Sequence, residues 1–181
     1  MRTRSVLVAT VAFGITSVIA DPVDPAAIVA AHNVSRTAVG VAPVRWSDAL
    51  RERAEKWAAH LRDHESCRME HSPGSGENLY KAGPHQAASE RDSDGNWLWK
   101  NSLQSVSEAD VVGLWDREKQ WYDHATNTCS APANKSCGHY TQVVWRNSLE
   151  VGCAKAICSD FSQVWVCNYA PAGNVQGEKP Y

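Results

Sequence analysis

Apolar residues recur every three or four positions in three segments of the chain, and this spacing predicts three α-helices. The first covers residues 24–40. The second begins at Ser47 or Asp48, either of which can cap a helix, and runs through Leu61. The third covers residues 108–122. Each helix therefore has one face that is expected to pack on a core.

Polar and apolar positions alternate in the second half of the chain, which predicts β-strands over residues 139–145, 150–157 and 162–169. In the first of these, the period of two places His139 at the start of a half-buried strand. Helices followed by antiparallel strands predict the α+β fold class. Residues 81–107 are mostly polar and turn-rich, and we expect them to form a surface excursion.

The N-terminal twenty residues have the pattern of a secretory signal peptide. Arg2 and Arg4 precede an apolar stretch, which ends in small residues just before the polar segment DPVDP. Cleavage would leave residues 21–181 as one domain, secreted and extracellular, with no transmembrane segment in the mature chain. A chain of 181 residues with 43% hydrophobic content fits one domain, and its net charge of -2 without a basic run indicates no nucleic-acid partner.

All six cysteines follow the predicted signal peptide, which fits three disulfides formed in an oxidising compartment. Sequence alone permits fifteen pairings. Cys153 and Cys167 lie symmetrically about Asp160, so a hairpin turning there would place them opposite each other. Cys129 and Cys137 bracket a short polar loop that a bridge can close, and these two pairs would leave Cys67 for Cys158. A zinc site built from cysteines is the alternative, but no CxxC pair is present.

Four titratable residues form a candidate site. Glu118 interrupts the apolar stripe of the third predicted helix, His139 starts a predicted strand, and His71 and Glu77 flank a glycine-rich turn. Taken singly, each is more often a surface residue or a tolerated flank of a core stripe. If the four meet, two imidazoles and two carboxylates can hold a divalent cation or transfer protons.

The segments CGHYTQVVWRNSLEVGCAKAIC and VCNYAPAGN closely resemble the two signature motifs of the CAP superfamily. This superfamily comprises the cysteine-rich secretory proteins, antigen five and the plant pathogenesis-related proteins of group one. The resemblance covers nearly the whole mature chain and is closest to the plant-type branch. It implies a three-layer α-β-α sandwich with an antiparallel central sheet, the three disulfides paired as above, and a central cavity lined by His71, Glu77, Glu118 and His139.

The two imidazoles favour Zn²⁺ or another divalent cation, bound weakly and in an open geometry, so no cofactor is expected to be obligatory. A metal-dependent hydrolase is the alternative function. However, the HExxH motif is absent, and Ser72 and Ser75, the serines nearest His71, lie in a turn where such residues usually serve the backbone. The pattern therefore favours a non-enzymatic, defence-type or effector-type module.

The resemblance also implies a lipid or sterol ligand, because some CAP proteins bind such molecules beside an aromatic loop. The matching segment here places Trp121 and Tyr122 at the groove, although their helical spacing fits core packing equally well. A receptor or other protein partner is a further expectation. Residues 171–181 match the segment that plant relatives release as a signalling peptide, but CNYA stands where those relatives have CNYD, which favours a packed C-terminal tail.

Overall fold

The computed structural model describes residues 22–74 and 76–181, so the predicted signal peptide lies outside the described residues. Its main elements are, in order, α1 Pro25–Ala38, β1 Arg45–Trp46, α2 Asp48–His64, β2 Glu77–Ala82, β3 His85–Arg91, β4 Trp97–Ser102, α3 Glu108–Asp116, a 3₁₀ helix Arg117–Trp121, β5 Tyr122–Asp123, β6 Thr128–Cys129, α4 Gly138–Val143, β7 Glu150–Ile157 and β8 Gln163–Ala170. In the described part of the chain, no helix combines the length and apolar character that crossing a membrane requires.

Local chemistry explains where the helices begin. Asp24 accepts hydrogen bonds from two backbone amides of the first turn of α1, and Pro25 occupies its first position. At α3, Ser107 and Asp110 form a reciprocal capping box. Ser47 is the residue that precedes α2, but its side chain makes no capping hydrogen bond. The first two predicted helices are therefore present, with α2 extending one turn beyond the predicted end.

The central sheet has the strand order β1-β7-β8-β2. The pairs β7–β8 and β8–β2 are antiparallel, as predicted, but the two-residue strand β1 pairs with β7 in parallel. Cys153 lies directly opposite Cys167 in the β7–β8 hairpin, as its symmetry about Asp160 predicted. All three predicted disulfides are present: Cys153–Cys167, Cys129–Cys137 and Cys67–Cys158.

Helices cover both faces of this sheet, so β8 is buried along nearly its whole length. Val164 and Val166 pack towards α2 with residues such as Ala58. Trp165 and Cys167 point the other way, into the larger core formed with α1, α3 and α4. The result is the predicted three-layer α-β-α arrangement.

The predicted strand 139–145 is absent, and its residues up to Val143 belong to the helix α4. Its alternating, β-branched sequence is typical of strands, but β propensity depends strongly on the surroundings. Here Tyr140 and Val143 lie on the buried side of α4 and join the larger core, while the Thr141 hydroxyl donates to the Cys137 and Gly138 carbonyls. Tertiary packing therefore overrides the local preference.

The third predicted helix is shorter than the sequence suggested. Its α-helical part ends at Asp116, and the chain continues as the 3₁₀ helix Arg117–Trp121. Glu118 therefore lies on a tighter turn than the α-helical spacing assumed. The Glu118 side chain points towards α4, where its hydrogen-bond partners lie.

Strands β3 and β4 form a two-stranded hairpin within the predicted surface excursion. Nearly every residue of both strands is exposed, including Trp99, which is 64% exposed, and Trp97, which is 51% exposed. The guanidinium of Arg91 lies 4.2 Å from the centre of the Trp97 ring. The two tryptophans are therefore part of the protein's surface.

Candidate functional site

His71 and Glu77 form the first of two histidine–glutamate pairs. His71 lies in the loop after α2, and its Nδ1 is 2.8 Å from Oε1 of Glu77, the first residue of β2. Glu77 also accepts hydrogen bonds from the backbone amide of Ser72, at 3.0 Å, and from the Ser72 hydroxyl, at 2.6 Å. The Glu77 side chain is only 4% exposed, whereas that of His71 is 63% exposed. The buried acid thus holds an imidazole that faces solvent.

His139 and Glu118 form the second pair, with 2.6 Å between Nδ1 of His139 and Oε1 of Glu118. The other carboxylate oxygen accepts the backbone amides of His139, at 2.9 Å, and Tyr140, at 3.2 Å. These amides belong to the first turn of α4, where backbone N–H groups lack partners within the helix and attract negative charge. Glu118 therefore both caps α4 and orients His139.

The first pair shifts the pKa values of its members in opposite directions. The hydrogen bond to Glu77 raises the pKa of His71 above its usual value, and this outweighs the opposing effect of burial. Burial acts to raise the pKa of Glu77, but the hydrogen bonds from His71 and Ser72 together hold it below its usual value. Both shifts favour the charged imidazolium–carboxylate form when no other cation is bound.

Two contacts connect the pairs. The Asn78 side chain, next to Glu77 on β2, donates to the backbone carbonyl of His139 at 3.1 Å. Trp115 stacks on the His139 ring, with 6.2 Å between ring centres, and its indole N–H donates to the backbone carbonyl of Leu79 on β2. The end of β2 that carries Glu77 is therefore fixed against the start of α4.

The four predicted residues come together as two pairs and not as one metal-binding group. In residues 22–74 and 76–181, no three histidine, cysteine, aspartate or glutamate side chains are grouped so that they could hold a metal ion. Each glutamate instead binds Nδ1 of its histidine, and no hydrogen bond in the described part of the chain uses Nε2 of either ring. A carboxylate on one ring nitrogen and a free second nitrogen is the usual arrangement of a metal-binding histidine.

The two aromatic residues predicted to line a ligand groove differ in their surroundings. Tyr122 borders a cleft of about 520 Å³, while Trp121 does not line it. The Tyr122 hydroxyl donates to the Asn127 side chain at 2.8 Å, and its ring packs on the edge of the larger core. The cleft lies between the loop closed by the Cys129–Cys137 disulfide and the start of α4.

A buried polar network behind the second pair was not found from the sequence. His32 of α1 is fully buried, and its ring nitrogens contact the Ile28 carbonyl at 2.8 Å and the Tyr169 hydroxyl at 2.9 Å. The Tyr169 hydroxyl also accepts a hydrogen bond from the Asn78 side chain, which donates to the backbone carbonyl of His139 as well. The available signal was the helical spacing of Ile28 and His32, which places the histidine on the buried stripe of α1.

Two further buried polar residues were also missed. Arg36 donates four hydrogen bonds, to the backbone carbonyls of Ala42, Val143, Trp145 and Ser148. Asn168 lies opposite Glu77 in the β2–β8 register, and neither atom of its side-chain amide has a hydrogen-bond partner among the described residues. A fully buried amide of this kind is expected to bind an internal water molecule.

Comparison with protein families identifies the chain. The model of the cysteine-rich secretory protein family, CAP, matches residues 29–169. The chain belongs to this family. Among curated CAP relatives, pathogenesis-related protein PRMS of Zea mays is 43% identical over 83% of this chain and 78% of its own length. Pathogenesis-related protein 1A of Nicotiana tabacum is 41% identical over 83% of this chain and 77% of its own length.

Solved structures show the same CAP fold at lower sequence identity. BmVAL-1 is 23% identical and aligns with a TM-score of 0.62 over 87% of this chain and 81% of its own. Venom allergen-like protein 4 of Schistosoma mansoni is 22% identical, with a TM-score of 0.58 over 87% and 92%. NaASP2, solved with Zn²⁺, is 19% identical, with a TM-score of 0.59 over 87% and 84%.

Proposed function

We propose that this CAP protein is a secreted, defence-type module that binds a divalent cation through His71 and His139 and a lipid or sterol in the cleft beside Tyr122. Its relatives from maize and tobacco are named as pathogenesis-related proteins, which supports the defence role. Three disulfides support secretion, because such bonds persist in oxidising compartments. The NaASP2 structure with Zn²⁺ supports a metal-binding role for the fold.

The metal proposal rests on which ring nitrogen of His71 and of His139 is hydrogen-bonded to a glutamate. Glu77 and Glu118 each bind Nδ1 of a histidine, at 2.8 Å and 2.6 Å. This leaves Nε2 as the metal-binding nitrogen and fixes the orientation of each ring. When bound, a cation held by two imidazoles keeps open positions for water or a ligand, which makes it a Lewis-acidic centre. Glu77 and Glu118 act here as positioning residues.

Calorimetric titration of Zn²⁺ into the protein tests this proposal. We expect His71→Ala and His139→Ala each to weaken binding by about tenfold or more, and Glu118→Gln to weaken it by about 10- to 100-fold, because its loss frees the His139 ring. His85→Ala removes an exposed histidine of β3 and is the matched control. Equal affinities for the wild type and both histidine variants, with unchanged circular dichroism, would refute the metal site.

The lipid proposal depends on the cleft beside Tyr122. Its walls combine the Tyr122 ring and the Cys129–Cys137 disulfide with polar groups such as Asn174, so it suits an amphipathic ligand. We expect Tyr122→Ala to abolish binding of a fluorescent sterol or fatty acid. Trp121→Ala should leave binding intact, because Trp121 does not border the cleft. The proposal fails if the wild type binds neither probe, or if only Trp121→Ala loses binding.

The contacts of Ser72 and of the C-terminal tail favour neither a serine nucleophile nor the release of a C-terminal peptide. The Ser72 hydroxyl donates to Glu77 at 2.6 Å and not to an imidazole, so His71 does not activate it as a nucleophile. The C-terminal tail is anchored at its end, where the Tyr181 ring stacks on His124 and its hydroxyl contacts that of Tyr140 at 3.1 Å. Release of a C-terminal peptide would therefore remove packed residues.

A further inference from the structure

We propose a second metal site on the outer surface of α2, where His60 and His64 together bind Cu²⁺ and, more weakly, Zn²⁺. Four residues apart on one helix, the two side chains lie on the same face. Their ring centres are 5.1 Å apart. Histidines at this spacing are a known way for a helix to present two imidazoles to one metal ion. The site uses neither His71 nor His139.

The neighbouring tryptophan holds one of the two rings in place. Trp57 stacks on His60 with 4.6 Å between ring centres and an angle of 19° between ring planes. Trp57 is itself fixed, because its indole N–H donates to the Glu70 carbonyl at 2.8 Å. The His60 imidazole is thus oriented before any metal arrives, which lowers the entropic cost of binding. Its side chain remains 40% exposed, so a solvated ion can reach it.

The electrostatic surroundings also favour a cation. His64 is the last residue of α2, where the partial negative charge of the helix end attracts positive ions. Oε1 of Glu65 lies 4.0 Å from Nε2 of His60, and the other oxygen of Glu65 pairs with Arg68 at 2.7 Å. Arg62 is likewise paired, with Asp63 at 2.7 Å. These two arginines are therefore largely neutralised, whereas Lys56, which borders the same surface pocket as His60, has no ion pair in the described part of the chain and opposes cation binding.

Two imidazoles set the expected selectivity. No group of three or more metal-binding side chains occurs in the part of the chain that the structure describes, so water completes the coordination. Affinities of nitrogen ligands rise along the first-row divalent ions to Cu²⁺ and are lower for Zn²⁺. We therefore expect Cu²⁺ to bind in the micromolar range and Zn²⁺ more weakly.

Titration of Cu²⁺ with tryptophan fluorescence tests the site, because a bound paramagnetic ion quenches the ring that stacks on His60. The titration uses the His71→Ala/His139→Ala double variant as background, so that the metal site proposed for these two histidines cannot contribute. We expect saturable quenching in this background, with the apparent Kd raised about tenfold or more by the further change His64→Ala. His85→Ala is the matched control and should leave the Kd unchanged.

Two measurements separate metal binding from a loss of structure. Trp57→Phe should remove much of the quenching while leaving the calorimetric Kd within about twofold, because phenylalanine can keep the stack. Electron paramagnetic resonance should detect two nitrogen ligands on Cu²⁺ in the background protein and one after His64→Ala. Equal Kd values with and without His64, or no saturable binding below millimolar Cu²⁺, would overturn the proposal and leave these two as ordinary surface histidines.

Discussion

Protonation of the buried His32 is expected to make this protein markedly less stable in acid. Burial lowers the pKa of His32 from its ordinary 6.5 to about 4, and the nearby Arg36 charge acts in the same direction, while the hydrogen bond to the Ile28 carbonyl opposes the shift. In the neutral ring, Nδ1–H donates to Ile28 and Nε2 accepts from the Tyr169 hydroxyl. A second proton would place an uncompensated charge in the core.

The size of the effect follows from the two pKa values. A histidine with a lowered pKa leaves the folded protein at full stability above 6.5, and this stability is lost as the pH falls from 6.5 towards about 4. The unfolded chain takes up the proton first, so acid favours unfolding. Integrated between pH 7 and pH 4, the difference corresponds to about 3 kcal/mol of the free energy of unfolding. This is a large part of the 5–15 kcal/mol typical of a domain.

Urea unfolding of the wild type and of His32→Gln at pH 7, 5.5 and 4 measures this contribution. The wild type should lose about 3 kcal/mol more than the variant between pH 7 and pH 4, although the variant is less stable at neutral pH. Other titrating groups are shared by both proteins, so they cancel in the comparison. Parallel pH profiles for the two proteins would refute the reasoning, because the buried imidazole would then not be the group that titrates.

Three further predictions concern stability. Gly152→Ala places a Cβ 2.3 Å from the backbone nitrogen of Arg51 and should lower the free energy of unfolding, measured by thermal denaturation, by about 1–3 kcal/mol or more. Gly83→Ala is the control, because its Cβ meets no atom within 4 Å, and it should change the free energy of unfolding by less than about 0.5 kcal/mol. Replacing both cysteines of the Cys67–Cys158 disulfide, which spans 91 residues, should cost roughly 2–5 kcal/mol in urea, and an unchanged midpoint would contradict this. Tyr181→Ala should lower the free energy of unfolding by about 1–2 kcal/mol, because its ring stacks on a histidine; no loss would mean that the tail contributes nothing.

The sequence predicted the elements whose patterns are local and consistent with their surroundings. The stripe on α2 identified a helix, and the alternation in β7 and β8 identified two strands, although it did not predict that consecutive residues of β8 would be buried. The symmetry of Cys153 and Cys167 about Asp160 predicted the hairpin register, because a short turn fixes which residues lie opposite each other. The resemblance to the CAP family supplied the layer arrangement and pointed to the histidines and glutamates.

The functional pairing was harder to predict because it depends on contacts between distant segments. His139 and Glu118 are 21 residues apart, and they meet because Gly138–Val143 forms a helix whose first amides face the carboxylate. The alternation in that segment predicted a strand, and in a strand these amides would donate to a neighbouring strand and not to Glu118. The sequence thus singled out the four residues that form the two histidine–glutamate pairs, but the hydrogen bonding of each glutamate to its imidazole followed from the fold.

Periodicity and cysteine number by themselves predicted an α+β fold with three disulfides, because a helix or strand pattern acts within a few residues and six cysteines can form three bridges. Tertiary structure decided the rest: that Glu118 caps α4, that His32 is neutral and buried, and that Trp57 stacks on His60. The physical reason is that hydrogen bonding and burial are set by neighbours from other elements, and these neighbours decide both the formation of α4 and the neutral state of His32.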